Sequence, residues 1–375
     1  MFRLPTRITM QPGCLARLPE YAAVAGKRPV LLVYDAGLKA TPWPDGVRDA
    51  LQTQGLSVVS FDQVEANPRH TTVDHLAAQA RDAHVGAVIG LGGGSVLDAA
   101  KAVAMLCNNP GSCTDFEGRN RFQNHPFPFL AIPTTCGTGS EVTWVSVITH
   151  AEEKRKMSIK GEGMFPAHAL VDADLLATLP PALVATTGLD ALTHALEAYT
   201  GTAANPVSDA LAEKAVALLM RYLPRAVAAI GTDAEAREAV MRASTLAGMA
   251  FGNADVGGVH CLSETIGGLW DLPHGLLNAQ LLAPVLRFHL PFVEDRLARL
   301  NPDAALQEDP AAGALHFVET LEALVDRLGI PPFSKHRFDP ADYPRIARGA
   351  VANNSNASNP QPMSEAEYLA ILQRL

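Results

Sequence analysis

The sequence predicts an α/β N-terminal domain built on a parallel sheet, followed by an all-α C-terminal domain. The first half of the chain alternates short β-rich runs with helical patterns, as in a parallel sheet covered by helices. From about Leu179 onward, Ala/Leu-rich segments at helical spacing dominate and strand signals nearly vanish. With 375 residues, 48% of them apolar, the chain is long enough for two domains. We therefore expect the domains to be residues 1–178 and 179–375.

The predicted strands of the first domain are continuous apolar runs, which are typical of strands buried on both faces. In chain order they are 29–34, 56–61, 85–90 and 127–132, and the runs 144–149 and 169–172 could complete the sheet. The helices predicted between them are 44–54, 73–83 and 95–106. In the second domain the predicted helices are 182–199, 206–223, 234–251, 259–269, 314–328 and 365–375, with a polar loop at 353–362.

Charge and cysteine usage exclude several classes of partner. The net charge of −9 and the lack of a basic run argue against binding to nucleic acid or to a membrane surface. The five cysteines are scattered, with no C-x-x-C pair, so we expect a reducing compartment. We find neither the apolar core of a signal peptide nor a run of about 18 apolar residues. The expected location is the cytoplasm.

A glycine-rich turn follows the predicted strand 85–90, at residues 90–98 (GLGGGSVLD). Three successive glycines expose backbone N–H groups, and the following helix presents its positive end, so a pyrophosphate could bind here. Ser95 and Asp98 have the spacing of a capping box. The spacing is not G-x-G-x-x-G, and an ordinary tight turn is the alternative. With the features below, the turn favours a dinucleotide-binding domain.

Two further features favour NAD. Asp35 ends the first predicted strand, where a carboxylate can accept hydrogen bonds from an adenosine ribose and would repel a 2′-phosphate. A second turn, residues 133–141 (PTTCGTGSE), also follows a strand and offers hydroxyl and backbone donors. A Thr/Ser-rich turn without a ligand is the alternative. The preferred cofactor is NAD rather than NADP.

An aspartate and three histidines in the helical half could bind a divalent metal. Asp190 and His194 are four residues apart and share one helical face, while His260 and His274 follow later in the chain. Carboxylate and imidazole groups suit Fe²⁺ or Zn²⁺. A simple surface pair is the alternative for Asp190 and His194. We expect structural roles for the other histidines, namely His70, His75, His84, His125, His150, His168, His289, His316 and His336.

Four motifs together resemble the iron-containing (group III) alcohol dehydrogenases, and the likeness runs nearly end to end. The motifs are GGGSVLDAAK, TTCGTGSEVT, GLDALTHALEAYTG and DLPHGLLNAQLLAP. The resemblance implies the fold shared with dehydroquinate synthases, a cleft between the two domains, and a homodimer or larger homo-oligomer. It implies a metal, most often Fe²⁺ with Zn²⁺ possible, on Asp190, His194, His260 and His274. It also implies NAD contacts from Asp35, Asn67, Gly92, Gly93, Gly94, Ser95, Asp98, Thr134, Thr135, Thr138 and Lys156.

One position departs from the pattern of that family. Many members carry another histidine four residues after the ligand that corresponds to His260, and this chain has Glu264 there. In those members the histidine faces the nicotinamide and is implicated in proton movement. Glu264 could take that catalytic role, could be an extra ligand, or could only shape the pocket.

The expected activity is hydride transfer between NAD(H) and a small primary or secondary alcohol or its aldehyde or ketone. The metal would polarise the substrate oxygen, and the cofactor would carry the redox chemistry. The alternatives within the superfamily are a polyol dehydrogenase, a maleylacetate reductase or a dehydroquinate-synthase-like lyase. A lyase needs a Lys/Arg cluster for its acidic substrate, and the helical half shows none near the motifs. A non-catalytic protein that binds NAD and metal is the alternative from another class.

Overall fold

The computed structural model describes residues 2–375, which fall into two units. The N-terminal unit consists of Arg3–Leu179 and Ile230–Thr245. The C-terminal unit consists of residue 2, Pro180–Ala229 and Leu246–Leu375. The helical segment Ile230–Thr245 therefore belongs to the unit that contains the sheets, although its composition resembles that of the helices around it.

Nine strands form two sheets in the N-terminal unit. They are β1 (Arg7–Met10), β2 (Val30–Val33), β3 (Val58–Phe61), β4 (Ala87–Gly92), β5 (Gly118–Arg119), β6 (Phe129–Pro133), β7 (Val145–His150), β8 (Arg155–Lys160) and β9 (His168–Val171). The main sheet is parallel throughout, in the order β1-β9-β6-β4-β2-β3. The small sheet has the order β5-β8-β7.

The prediction that residues 144–149 complete the main sheet is wrong. These residues form β7, which pairs antiparallel with β8 in the small sheet. Buried and partly exposed residues alternate along most of β7, as expected of an antiparallel strand with one face toward solvent. The main sheet instead contains β1, which the sequence pattern did not reveal because its four residues are exposed or only half-buried.

Helices cover both faces of the main sheet. They are α1 (Leu18–Ala22), α2 (Trp43–Thr53), α3 (His70–Asp82) and α4 (Gly94–Leu106). Side chains alternate between the faces along each strand, so Leu31 and Val33 pack with α3 and α4. Val30 and Leu32 pack with α1 and α2 in the opposite layer. This double burial is why β2 is apolar at every position.

Residues 180–375 contain helices and no strand. The remaining helices are α5 (Pro181–Thr200), α6 (Pro206–Ala229), α7 (Ala234–Ala254), α8 (Gly258–Trp270), α9 (His274–Ala298), α10 (Ala304–Glu308), α11 (Pro310–Arg327), α12 (Tyr343–Ala352) and α13 (Glu365–Leu372). Of these, α9, α10 and α12 were not predicted, and α9 contains Pro284 and Pro291, which are unfavourable inside a helix. The helix continues past Pro284 and is kinked at Val293, two residues after Pro291. Packing against α5, α8 and α11 stabilises it.

Among the described residues, α9 is the one helix long and apolar enough to cross a membrane. Of its most apolar window, 61% is buried inside the protein. Polar residues such as Asn278 and Gln280 interrupt its apolar pattern, so it contains no unbroken run of about 18 apolar residues. Its burial among other helices is that of a core helix.

Candidate functional site

The glycine-rich turn and the second turn lie at the same edge of the main sheet. They follow β4 and β6, which are neighbouring parallel strands, so both start at the carboxyl edge where α/β proteins bind ligands. The turns carry eight of the predicted NAD contacts, namely Gly92, Gly93, Gly94, Ser95, Asp98, Thr134, Thr135 and Thr138. A Cβ added at Gly94 would lie 2.4 Å from Thr138 Cγ2, and one at Gly93 would lie 3.0 Å from Thr135 Cγ2. Glycine at these positions therefore lets the two turns touch.

The predicted capping box of Ser95 and Asp98 is wrong. The helix α4 begins at Gly94 with Gly93 as its N-cap, and no side chain caps it. Ser95 instead lies inside the first turn of the helix. The Asp98 carboxylate accepts hydrogen bonds from Ser140 Oγ at 2.6 Å and from the Val147 backbone N–H at 2.9 Å. It therefore links α4 to the second turn.

Lys101, which sequence reasoning missed, strengthens the same link. Its side chain is buried, with 1% exposed, and its Nζ donates to Ser140 O, Ser140 Oγ, Thr143 Oγ1 and Val145 O at 2.7–3.2 Å. Burial lowers the pKa of Lys101 to about 8, and the carboxylates of Asp98 and Glu141 oppose that shift. Lys101 ends the GGGSVLDAAK motif, and a charged residue on an otherwise apolar helix was the signal that could have revealed it.

The other predicted NAD contacts of this unit are Asp35 after β2, Asn67 in the loop before α3, and Lys156 on β8. Asp35 lies two residues after the end of β2, which neighbours β4 in the sheet, and its Oδ1 accepts a hydrogen bond from the Gly37 N–H at 2.7 Å. Asn67 is buried and has a positive φ of 54°. Lys156 Nζ donates to Asn67 Oδ1 at 2.6 Å and to Thr149 Oγ1 at 3.1 Å. The structure thus brings Asn67 and Lys156 into contact.

In the C-terminal unit, the four predicted metal ligands converge. Asp190, His194, His260 and His274 each offer a ligand atom, and these atoms all lie within 4.8 Å of one another. His260 Nε2 and His194 Nε2 are 3.0 Å apart, and His274 Nε2 is 3.6 Å from Asp190 Oδ1. The first three side chains are buried, and that of His274 is 30% exposed. Of the four side chains, that of His274 is therefore the one partly accessible to solvent.

Helix packing explains this convergence. Asp190 and His194 lie one turn apart on α5, and His274 is the first residue of α9. A Cβ added at Gly275 would lie 2.8 Å from the Thr186 backbone oxygen. Because a backbone atom cannot rotate away, only glycine lets α9 start this close to α5. This approach places His274 beside Asp190.

Glu197 and Asn359, both missed from the sequence, position His260. Glu197 Oε1 accepts from the Val259 N–H at 2.7 Å, and Asn359 Oδ1 accepts from the Gly258 N–H at 2.6 Å, so they satisfy the first amides of α8. Glu197 Oε2 lies 2.5 Å from His260 Nδ1. Burial alone would raise the pKa of Glu197, but the charge and hydrogen bond of His260 hold that pKa below its ordinary value.

Asn278 is a further missed residue, one turn after His274 on α9. Its Nδ2 donates to Asp190 Oδ1 at 2.6 Å and lies 3.2 Å from His260 Nε2 and 3.1 Å from His274 Nε2. Its Oδ1 is buried and accepts no hydrogen bond from the described residues. Asn278 therefore lies at the centre of the ligand cluster, although its position in the sequence gives no sign of this.

Glu264 lies outside the group of four. It is one turn after His260 on α8 and is half-buried. Its Oε2 accepts a hydrogen bond from Asn353 Nδ2 at 2.6 Å. Asn353 belongs to the polar loop predicted at 353–362, so this loop holds Glu264 through Asn353 and caps α8 through Asn359.

The chemistry of the cluster fits a divalent cation. His194 and His260 direct Nε2 atoms at each other, and two such lone pairs repel unless a proton or a cation lies between them. The second nitrogen of His260 is held by a carboxylate, which is the usual arrangement of a metal-bound histidine. Three imidazoles and one carboxylate suit Fe²⁺, Zn²⁺ and related ions. The residues present therefore fit the metal that the sequence motifs imply.

Known proteins resemble this chain over its full length. The sequence model described as iron-containing alcohol dehydrogenase matches residues 5–173, and the C-terminal model of the same family matches residues 184–375. A 1,3-propanediol dehydrogenase of Citrobacter freundii is 37% identical, covering 97% of this chain and 95% of the relative. An NAD-dependent methanol dehydrogenase of Bacillus methanolicus is 33% identical, covering 99% and 98%.

A solved structure resembles the chain equally well. The crystal structure of a 1,3-propanediol oxidoreductase superposes with a TM-score of 0.94 at 35% sequence identity, covering 100% of this chain and 99% of the other. The agreement spans the α/β unit and the helical unit alike. This protein therefore belongs to the iron-containing alcohol dehydrogenase family and is an NAD-dependent oxidoreductase of alcohols and aldehydes.

Proposed function

We propose that this chain interconverts a small primary or secondary alcohol and its aldehyde or ketone by hydride transfer to and from NAD(H). Residues 1–178 would bind NAD, and residues 179–375 would bind the metal and the substrate. The observation that carries the proposal is the convergence of four ligand atoms within 4.8 Å in a chain of this family. The two touching turns at the carboxyl edge of the sheet support the NAD half of the proposal.

The proposed metal ligands are Asp190, His194, His260 and His274, with Fe²⁺ as the preferred ion and Zn²⁺ as the second choice. The family description names iron, and the donor set suits either ion. When bound, the cation supplies Lewis acidity that lowers the pKa of an alcohol, and NAD supplies the hydride acceptor. Glu197 keeps the His260 ring oriented, and Asn278 holds Asp190 Oδ1.

We further propose Glu264 as the catalytic carboxylate, which would move the proton of the substrate hydroxyl toward solvent. Its separation from the group of four ligand atoms favours this role over that of an extra ligand, and its hydrogen bond to Asn353 supports a fixed position. The proposed NAD contacts are Asp35, Asn67, Gly92, Gly93, Gly94, Ser95, Asp98, Thr134, Thr135, Thr138 and Lys156. For Asp98 the hydrogen bonds favour a role in holding the second turn.

Measuring both the metal content and the turnover of the His274→Ala variant tests the proposal. We expect the wild-type protein to lose activity on chelation and regain it with Fe²⁺ or Zn²⁺, while the variant binds metal poorly and stays inactive. NADH absorbance with a panel of short-chain alcohols and polyols measures turnover and separates an alcohol dehydrogenase from a polyol dehydrogenase. Maleylacetate, with NADH consumption as the readout, tests the reductase alternative. Full activity in metal-free His274→Ala protein would refute the proposed chemistry.

A non-catalytic protein that binds NAD and metal is the second candidate. It would gain support if the protein bound both ligands but turned over no aldehyde in a broad screen.

We also propose a homodimer or larger homo-oligomer in the cytoplasm, on the basis of family resemblance and cysteine usage. Light scattering of the purified protein checks the oligomeric state, and a monomer at working concentration would contradict it.

A further inference from the structure

A second group of metal-binding side chains lies in the N-terminal unit and shares no residue with the first. It consists of His70, His150 and Glu152, whose potential ligand atoms all lie within 4.8 Å of one another. His70 begins α3, His150 ends β7, and Glu152 lies in the turn between β7 and β8. We propose that this group binds a second divalent cation of the borderline class, such as Zn²⁺ or Ni²⁺.

The distances from Glu152 to the two histidines match those between ligands of one metal ion. Glu152 Oε2 lies 3.4 Å from His70 Nε2 and 3.3 Å from His150 Nδ1. Ligands at about 2.0–2.2 Å around a tetrahedral zinc ion are about 3.3–3.5 Å apart. Two imidazoles and a carboxylate are donors that zinc and nickel accept. Because the Glu152 side chain is 66% exposed, water can complete the coordination.

The two histidines are held in place before any cation binds. Their side chains are 11% and 18% exposed, and their ring centroids are 4.9 Å apart. The segments that carry them are joined by the Thr149 N–H, which donates to Pro68 O at 2.8 Å. A site whose ligands are already ordered loses little side-chain entropy when the metal binds.

Binding a cation here breaks two hydrogen bonds. His70 Nδ1 accepts from the Ala151 N–H at 3.2 Å, and His150 Nδ1 accepts from the Glu153 N–H at 3.3 Å. A cation on His70 Nε2 requires a proton on His70 Nδ1, and a cation on His150 Nδ1 displaces the Glu153 amide. Glu153 Oε1 lies 3.9 Å from His150 Nε2, beyond hydrogen-bond distance. The site is therefore weaker than the cluster in the C-terminal unit and fills after it.

The site connects two segments that carry proposed NAD contacts. Asn67 lies three residues before His70, and Lys156 lies on β8 just beyond the turn that contains Glu152. The two are joined by the hydrogen bond of 2.6 Å between Lys156 Nζ and Asn67 Oδ1. A cation on His70 and His150 would clamp the β7–β8 hairpin to the start of α3 and hold this pair together.

Zinc titration of the metal-free, full-length protein tests the inference. Isothermal titration calorimetry is run on wild type, on His150→Ala and on His316→Ala, a matched change of an exposed histidine on α11. We expect His150→Ala to bind one zinc ion fewer per chain than wild type, and His316→Ala to bind as many as wild type. All five cysteines are buried, so they do not compete for zinc in the folded protein.

Two further comparisons keep the test decisive. The comparison is repeated in a His274→Ala background, where the additional zinc ion should still bind and should be lost when His150→Ala is added. This outcome does not depend on whether the cluster in the C-terminal unit is catalytic. Glu152→Gln, a change of an exposed side chain that leaves the fold unaffected, should weaken the second site by about tenfold or more. Equal zinc stoichiometry in folded wild type and His150→Ala, or unchanged affinity in Glu152→Gln, would overturn the inference.

Discussion

At the scale of single residues, Glu197 controls how His260 presents its ring. One of its oxygens accepts from the Val259 N–H, and the other lies 2.5 Å from His260 Nδ1. Because Nδ1 is engaged by the carboxylate, Nε2 is left to face His194. A carboxylate in this position fixes the tautomer of a metal-bound histidine and raises its basicity. Glu197 also lies one turn after His194 on α5. The helix α5 therefore carries two proposed ligands, Asp190 and His194, and the carboxylate that orients His260.

The substitution Glu197→Gln should weaken metal binding without removing any proposed ligand. We expect metal affinity to fall by about 10- to 100-fold, because a neutral amide holds the His260 ring less firmly than a carboxylate. Competition with a coloured chelator measures the affinity. Glu319→Gln, on the exposed face of α11, is the matched control and should bind metal as wild type does. Wild-type affinity in Glu197→Gln would show that Glu197 only caps α8.

At the scale of elements, the close approach of α9 to α5 assembles the cluster. A Cβ at Gly275 would lie 2.8 Å from the Thr186 backbone oxygen, so a side chain there must push the start of α9 away from α5. His274 is the neighbouring residue and would move with the helix. The position of this one ligand therefore depends on a glycine that binds nothing itself.

We expect Gly275→Ala to reduce metal content and to lower the free energy of unfolding by about 1–3 kcal/mol, as overpacking does. Metal analysis and denaturant unfolding measure the two effects. Gly46→Ala on α2 is the control, because a Cβ there meets nothing within 4 Å. That change should leave metal content unaltered and raise stability by about 0.5–1 kcal/mol. A Gly275→Ala protein with full metal content would contradict the packing argument.

In the N-terminal unit, Lys101 holds the second turn in place, as Gly275 lets the start of α9 lie close to α5. It ties α4 to the second turn, and the carboxylates of Asp98 and Glu141 lie nearby in the same buried network. Replacing it by methionine keeps the length of the side chain but leaves these carboxylates without their cation.

For Lys101→Met we expect a loss of about 3–5 kcal/mol in the free energy of unfolding, because removing a buried cation leaves the nearby buried carboxylates uncompensated. We also expect a higher KM for NAD, because the second turn loses its anchor, whereas metal content should remain unchanged. Denaturant unfolding and NAD titration are the measurements. Lys27→Met, at an exposed position of the same unit, should have neither effect. If KM for NAD stays constant, the turn does not need this anchor.

At the scale of the whole molecule, the proposed metal would connect three helices, one of which is far in sequence from the other two. Its ligands come from α5, α8 and α9. A ligand that binds only the folded state stabilises it by about 2.7 kcal/mol at a free concentration 100 times its Kd. The stabilisation should appear first in the elements that supply the ligands.

Amide hydrogen exchange with and without metal resolves this effect along the chain. We expect slower exchange in α5, α8 and α9 of the metal-loaded protein, and little change in β2, β4 and β6 of the N-terminal unit. The His274→Ala variant should lose the metal-dependent protection. Protection spread evenly over both units would contradict a site confined to the helical unit.

Local patterns in the sequence determined most of the secondary structure. Apolar runs such as the one that forms β2 identified buried strands, because a strand covered on both faces has no polar position. Helical spacing identified α5 and α8, and the four motifs indicated the family. The spacing of Asp190 and His194 also predicted a shared ligand face, because four residues make one helical turn.

Tertiary structure decided what depends on partners distant in the chain. The helix α9 was not predicted, and it continues past Pro284 where it packs against neighbouring helices, although it is kinked after Pro291. The strand β7 was assigned to the wrong sheet, since pairing with β8 is not encoded in β7 alone. Glu197, Lys101, Asn278, and the pairing of His70 with His150 were missed for the same reason. A side chain acquires its role from the groups that folding brings within hydrogen-bond distance, and sequence spacing measures such distances only within one helix or strand.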